Sequence, residues 1–234
     1  MILYVNGDSH AAAAEAVNPH AWACDDSMYW GLGQRPHPDN ERVSFGCELA
    51  NHLNAVLVCD AQAGCSNDRI IRTTQSWIAH NQDCLHDAFL VIQWSTWERE
   101  EWLHQGTHYQ VGASGTDSVP QELQEQYRHY IIGLDWTEKI RQAHDQIWRF
   151  HQELQEQGIR HVMFNGNTDF GQSQNRMDWQ GHYIRPYDPT QTYDAILKTN
   201  GYKTVNPNSW HFGPQAHCFW ANYLLQYITD NNIL

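Results

Sequence analysis

The chain has 234 residues, with 14 Lys plus Arg against 27 Asp plus Glu and a formal charge of −13. A surface this acidic repels phosphate backbones and anionic membranes. The densest basic pair in the first half, Arg69 and Arg72, is too small to relieve it, so neither nucleic acid nor membrane is an expected partner. The length suits one α/β domain with a core of its own. No apolar run approaches the roughly 20 residues of a membrane span. The start, Met1 to Val5 followed at once by Asn6-Gly7-Asp8-Ser9, lacks the basic, apolar and small-residue regions of a signal peptide. The expected location on synthesis is therefore the cytoplasm.

In chain order, Ile2–Asn6 reads as a buried strand, and Ser9 follows it just before the alanine run Ala11 to Ala14. A serine there suits two roles, the N-cap of a helix or a nucleophile. Asn40–Leu53 has helical character, Ala55–Asp60 reads as a strand, and Asn67–His80 as a helix. Ala88–Trp94 is a third strand, β-branched or aromatic without alternation, as in strands covered on both faces. Val119–Gln157 is helical, with Pro120 near its start, Gly158 past its end and Gly133 as a point of division. His161–Asn165 is the fourth strand, Tyr202–Val205 a short fifth, and Pro214–Thr229 a final helix. This alternation predicts one domain with three layers, α/β/α, around a five-stranded, mostly parallel sheet.

Three irregular segments, Asn18–Asp39, Trp97–Ser118 and Thr168–Thr199, are too long for simple connections. Many of the 11 Trp and 11 Tyr fall in such polar loops. They either line a pocket or a surface for protein partners, or pin the loops to the domain. Glu98, Glu100 and Glu101 read as a solvated face. The six cysteines contain no C-x-x-C pair and read as free thiols. His104 and His108 are four apart, but Gly106 between them weakens a helix and no third ligand is evident. No metal and no other cofactor is expected.

In an open parallel sheet, ligands sit beyond the carboxyl ends of the strands. Gly7-Asp8-Ser9-His10, Gly64 to Asp68, Trp94 to Arg99 and Asn165-Gly166-Asn167 all fall there, and Asn208 to His217 leads into the last helix. A serine at that edge becomes a nucleophile when a histidine takes its proton and N–H groups hold the oxyanion. Ser9 with His211, the backbone N–H groups of Ser9 and Gly64, and the side-chain amide of Asn67 form such a set. Asp8 has a structural role here, and so has His217 on the last helix.

Together these blocks resemble the SGNH, or GDSL, hydrolase family. Gly7-Asp8-Ser9 matches its first block, Gly64 its second-block glycine, and His211 the histidine of its last block, with His217 and Trp220-Ala221 beyond. The Gly64 to Thr74 stretch and the Gln93-Trp94-Ser95-x-x-x-Arg99-Glu100 pattern look most like divergent phage-encoded members. The resemblance implies a flavodoxin-like sheet and ester hydrolysis through a Ser9 acyl-enzyme, with His211 as base and then acid. Ser9, Gly64 and Asn67 would hold the oxyanion, and the substrate would be a small acyl ester, such as an acetyl group on carbohydrate. Two positions depart from the family. Ser95 and Thr96 stand where its third-block asparagine belongs, and Asn208 and Ser209 where its last-block aspartate belongs. Losing an oxyanion donor costs on the order of 100-fold in rate, and losing the carboxylate roughly 10⁴ in the serine-protease template. Asp169, Asp178, Asp188 and Asp194 are candidates to orient His211 instead. The alternative is a catalytically reduced fold used for binding or assembly, for instance as a virion component.

Overall fold

The computed structural model describes residues 1–21, 35–113, 115, 119–171 and 175–234. Four strands, β1 (Ile2–Asn6), β2 (Val56–Cys59), β3 (Ala88–Trp94) and β6 (His161–Asn165), form one parallel sheet in the order β2-β1-β3-β6. Between β3 and β6 lie β4 (Glu100–His104) and β5 (Thr107–Val111), paired as a separate antiparallel hairpin. The helices are α1 (Pro38–Glu41), α2 (Phe45–His52), α3 (Asn67–His80), α4 (Gln124–Ile132), α5 (Trp136–Glu156), α6 (Tyr193–Thr199) and α7 (Pro214–Asp230). No helix among the described residues is long and apolar enough to cross a membrane.

Alternate strand residues feed two cores. Leu3, Val5, Phe89, Val91, Val162 and Phe164 pack with residues of α2, α6 and α7, including Phe45, Leu197 and Trp220. Tyr4, Leu90, Ile92 and Met163 pack on the other face with Ile70 and Ile78 of α3 and Ile147, Phe150 and Leu154 of α5. Because every β3 residue is buried, its run is apolar on both faces rather than alternating. Burying a large apolar side chain of this kind contributes about 1.5–3 kcal/mol. The result is a three-layer α/β/α fold whose strand order reverses between β1 and β3, the place where such sheets open a crevice.

Several expectations need correction. The sheet has four strands among the described residues. Thr204 makes only an isolated antiparallel bridge to Phe212. The flank of β6 is occupied instead by His182 and Ile184, which bond the Met163 N–H and C=O at 2.7 and 2.9 Å. The Asn40–Leu53 helix is broken into α1 and α2, because the Ser44 side chain caps the N–H of Cys47. The alanine run is no regular helix: it is a coil of turns in which Ala13 and Glu15 have φ of 50° and 61°. Segment 97–118 is not irregular throughout its described residues. It contains the β4–β5 hairpin, closed by Gln105 and Gly106 at φ of 49° and 80°, the two left-handed residues of a type I′ turn. Segment 168–199 contains α6. Of segment 18–39, residues 22–34, with Cys24, lie outside the described residues, as do 114, 116–118 and 172–174. Glu101 is not solvated: its side chain is 4% exposed and takes two bonds from Arg72, at 2.5 and 2.7 Å.

His151, His161 and His217 are buried in neutral form. His161 Nδ1 donates to the Ile159 carbonyl (2.8 Å), so its Nε2 accepts from His151 Nδ1 (2.9 Å). His217 Nδ1 accepts the first N–H of α2, from Phe45, at 3.3 Å. Burial pushes His151 down to about 4, and His161 and His217 down to about 3. Above the ordinary histidine pKa of about 6.5, both folded and unfolded chains hold these rings neutral. Below it the unfolded chain binds protons that the folded chain refuses, so stability falls with pH. The thermal midpoint is expected to be level from pH 8 to 7 and to drop steadily from pH 6.5 to 4. A midpoint that holds or rises over that acid range contradicts the burial of neutral rings.

Candidate active site

The turn after β1 is fixed from below by one side chain. Gln93, fully buried on β3, accepts the N–H groups of Asp8 (3.0 Å) and Ala11 (3.3 Å) through Oε1 and donates to the Trp94 carbonyl at 2.6 Å. Two glycines make room for it. A Cβ on Gly7 would lie 2.7 Å from Gln93 Oε1, and one on Gly166 2.5 Å from Gln93 Nε2. The chain then coils through Ala11 to Ala14, all at most 1% exposed, with bonds from Ala12 N to Asp8 O and from Ala14 N to Ser9 O. Ser9 is therefore not a helix N-cap, and its hydroxyl has no hydrogen-bond partner among the described residues.

Ser9 opens into a cleft of about 510 Å³ lined also by Asp8, His10, Gly64, Thr96, Arg99, Asn167, Trp210 and His211. Gly64 has φ of +78°, a conformation glycine adopts without a Cβ penalty. Neither its N–H nor that of Ser9 is bonded among the described residues. A larger cleft of about 770 Å³ lies along β2 and α3. Its one thiol, Cys59, is pushed up to about 12 by burial, so it offers no thiolate near neutral pH.

His211 carries the decisive contact. Its Nδ1 lies 2.9 Å from Oε2 of Glu15, which is 196 residues away in sequence. Ser209 stands where the resemblance asks for an aspartate. Its hydroxyl donates to the same Oε2 at 2.5 Å and accepts the His211 N–H at 2.9 Å. Burial alone would raise the Glu15 pKa, but the hydrogen bonds from His211 and Ser209 outweigh it and hold the carboxyl below its ordinary value. Glu15 thus meets the imidazole as a carboxylate. Holding Ala13 and Glu15 left-handed costs about 1–3 kcal/mol each, and this coil is what turns Glu15 back toward His211. Sequence reasoning missed Glu15. The available signal was that it is the one acidic residue between Asp8 and Asp25.

The remaining candidates are placed as follows. Asn67 does not line this cleft. Its Oδ1 accepts the Ser95 N–H (2.8 Å) and its Nδ2 donates to the Ser95 carbonyl (3.4 Å). Ser95 donates to Asp8 Oδ2 at 3.0 Å. Thr96 lines the cleft, but its hydroxyl oxygen is sealed from solvent with no partner. Asn208 lies in an exposed turn, where its N–H bonds Asn206 Oδ1. None of the four late aspartates orients His211: Asp169, Asp178 and Asp188 accept nearby backbone N–H groups, and Asp194 pairs with Lys198. His104 and His108 lie on the hairpin, paired across it with Thr107 and Leu103, and His108 Nδ1 is 3.1 Å from Glu101.

Asp8 is buried under Ser9. Desolvation alone would raise its pKa, but His10, Arg99 and hydrogen bonds from the His10 N–H and Ser95 outweigh it, and the net direction is down. His10 is also buried, its pKa lowered by desolvation. Its ring stands edge-on to His211 at 5.6 Å, and it backs the imidazole.

No curated protein sequence matches this chain. Among solved structures, a protein described as lipolytic, of the G-D-S-L family, from Desulfitobacterium hafniense DCB-2 is 9% identical with a TM-score of 0.45, covering 97% of this chain and 99% of its own. An acetyl xylan esterase from the rumen bacterium Butyrivibrio proteoclasticus is 13% identical with a TM-score of 0.43, covering 97% and 63%. A carbohydrate esterase family 2 enzyme with a carbohydrate-binding domain, from Corynascus thermopiles (Myceliophthora fergusii), is 12% identical with a TM-score of 0.45, covering 98% and 65%. The chain thus spans just under two thirds of the length of the last two. A family profile described as "Family of unknown function (DUF6071)" matches residues 33–156, which include Gly64 and Arg99 but not Ser9, Glu15 or His211. That match covers just over half of the sequence, and the chain belongs to the DUF6071 family.

Proposed function

We propose that this chain is a serine ester hydrolase of the SGNH type. The observation supporting the reading is the 2.9 Å contact of Glu15 with His211 Nδ1, beside a cleft that Ser9 and His211 line together. A carboxylate on Nδ1 keeps the proton there, leaves Nε2 with its lone pair, and stabilises the imidazolium that forms. Ser9 Oγ bonds to the ester carbonyl carbon as its proton passes to His211 Nε2. The carbonyl π pair moves onto oxygen, where the Ser9 and Gly64 N–H groups receive it. The tetrahedral carbon then expels the alcohol, which takes the proton from His211. Water repeats the sequence against the acyl-enzyme with His211 again as base, releasing the acid and restoring Ser9.

Small acyl groups suit a cleft walled by Ala21, Ala63 and Gly64. The leaving alcohol must lie on the His211 side, because His211 protonates it. There Trp210 is 67% exposed, with Lys198 Nζ 5.8 Å from its ring centre. A flat apolar platform beside polar groups fits a sugar ring, which supports an acylated carbohydrate as substrate.

With p-nitrophenyl acetate, Ser9→Ala is expected to abolish turnover. Glu15→Gln is expected to lower kcat by roughly 10²–10⁴-fold, with the fold retained by thermal melt. Hydrolysis by Ser9→Ala at the wild-type rate would return the chain to a binding or virion-assembly role. A Glu15→Gln enzyme with unchanged kcat would leave a Ser-His pair that needs no carboxylate.

A further inference from the structure

The oxyanion donors named above are two backbone N–H groups, those of Ser9 and Gly64. Of the asparagines, Asn67 is occupied at both ends by the Ser95 backbone, and Asn167, which lines the cleft, lies beyond β6 and not at the end of β3. The Ser95 hydroxyl is directed to Asp8, and the Thr96 hydroxyl oxygen is sealed off. Of the two polar residues beyond β3 that line the cleft, Thr96 and Arg99, the second has N–H donors to spare. Its Nη1 is held by three acceptors: Ser95 Oγ at 2.8 Å, Asp8 Oδ2 at 3.3 Å and the Cys65 carbonyl at 3.4 Å. Two of those acceptors belong to the residue before Ser9 and the residue after Gly64. The guanidinium therefore bridges the two segments whose N–H groups face the reacting carbonyl. Nε and Nη2 have no partner among the described residues, and the side chain is 24% exposed.

We propose that Arg99 is the third oxyanion donor, taking the place of the missing asparagine. The argument rests on the hydrolase reading above. A guanidinium carries five N–H donors on a rigid plane. Here one nitrogen is anchored and the others remain for substrate. The Asp8 carboxylate, 5% exposed beneath the site, holds the cation in place before the reaction begins, and pre-placed charge of this kind is what oxyanion stabilisation requires. As Ser9 adds to the ester, the developing O⁻ accepts an N–H from Arg99 together with those of Ser9 and Gly64. When the carbonyl re-forms, that charge leaves the oxygen and the Arg99 contact weakens. The Asp8–Arg99 pair gives the first block's aspartate a function in chemistry as well as in folding. The pair is already neutral in sum, so the arrangement favours a charge that appears in the transition state over a substrate that arrives as an anion.

The test uses the full chain, p-nitrophenyl acetate as a neutral substrate, and a p-nitrophenyl ester with a carboxylate on its acyl group. Arg99→Gln is expected to lower kcat for the neutral ester by about 100-fold or more, with KM changed only a few-fold. Arg99→Lys, which keeps the charge beside Asp8, is expected to fall between it and the wild type. Guanidinium chloride at tens of millimolar is expected to restore part of the kcat of Arg99→Ala, which a purely structural role would not produce. If Arg99→Ala and Arg99→Gln do not fold, Arg99→Lys decides, and wild-type kcat in that variant overturns the proposal. A folded Arg99→Gln within about threefold of wild-type kcat also overturns it. So does a defect in KM alone, confined to the anionic ester, which would make Arg99 a substrate-binding cation. Wild-type protein that turns over no ester overturns the hydrolase reading and this one with it. Turnover lost in Ser9→Ala but kept in Arg99→Gln overturns this one alone.

Discussion

The hydrogen bond between Glu15 and His211 joins the two ends of the chain at the site. It spans 196 residues and joins the coil after β1 to the loop before α7. Everything beneath it serves to make its geometry repeatable. The turn after β1 is suspended from Gln93, Gly7 and Gly166 leave space for that amide, and the alanine coil is small enough to fold tightly above it. Ala11 to Ala14 are at most 1% exposed, so bulkier side chains there would disrupt the packing around the coil that returns Glu15 to the last loop. The Ser209 hydroxyl then closes the arrangement by bonding the carboxylate and the His211 backbone at once.

Beneath Ser9 lies a second, buried layer of charge. Asp8, Ser95 and Arg99 hold one another, and Asn67 fixes the backbone of Ser95. An uncompensated carboxylate at that depth would be costly, and its partners are what keep it ionised. This layer ties the ends of β1 and β3 to the turn after β2. His10 stands over the same layer and backs His211. The site therefore combines two pairs, Glu15 with His211 and Asp8 with Arg99, beside Ser9.

Much of the frame was legible in the sequence for a simple reason. β1, β3, β6 and α3 are local apolar patterns bounded by clear polar signals, and their limits follow from those patterns alone. The β4–β5 hairpin was not legible. Its strands are short and half-exposed, so alternation is weak, and Gln105-Gly106 is a less familiar type I′ pair than Asn-Gly. The fifth strand failed because the flank of β6 was taken by His182 and Ile184, a competition that no local pattern reports. At the site, Ser9, Gly64 and His211 were visible as motif positions. Glu15 was hidden in an alanine run that reads as helix, and its partner lies at the far end of the chain. The fate of Asn67 was hidden likewise, since only the fold shows that the Ser95 backbone has taken its amide.

The most direct measurement is the site and rate of covalent labelling by a fluorophosphonate, followed by mass-spectrometric peptide mapping. The account predicts a single adduct on Ser9, formed rapidly by the wild-type chain and slowly by Glu15→Gln and His211→Ala variants of unchanged thermal midpoint. No adduct on Ser9, or labelling at the same rate in all three proteins, would contradict the claim that Glu15 and His211 make this serine a nucleophile.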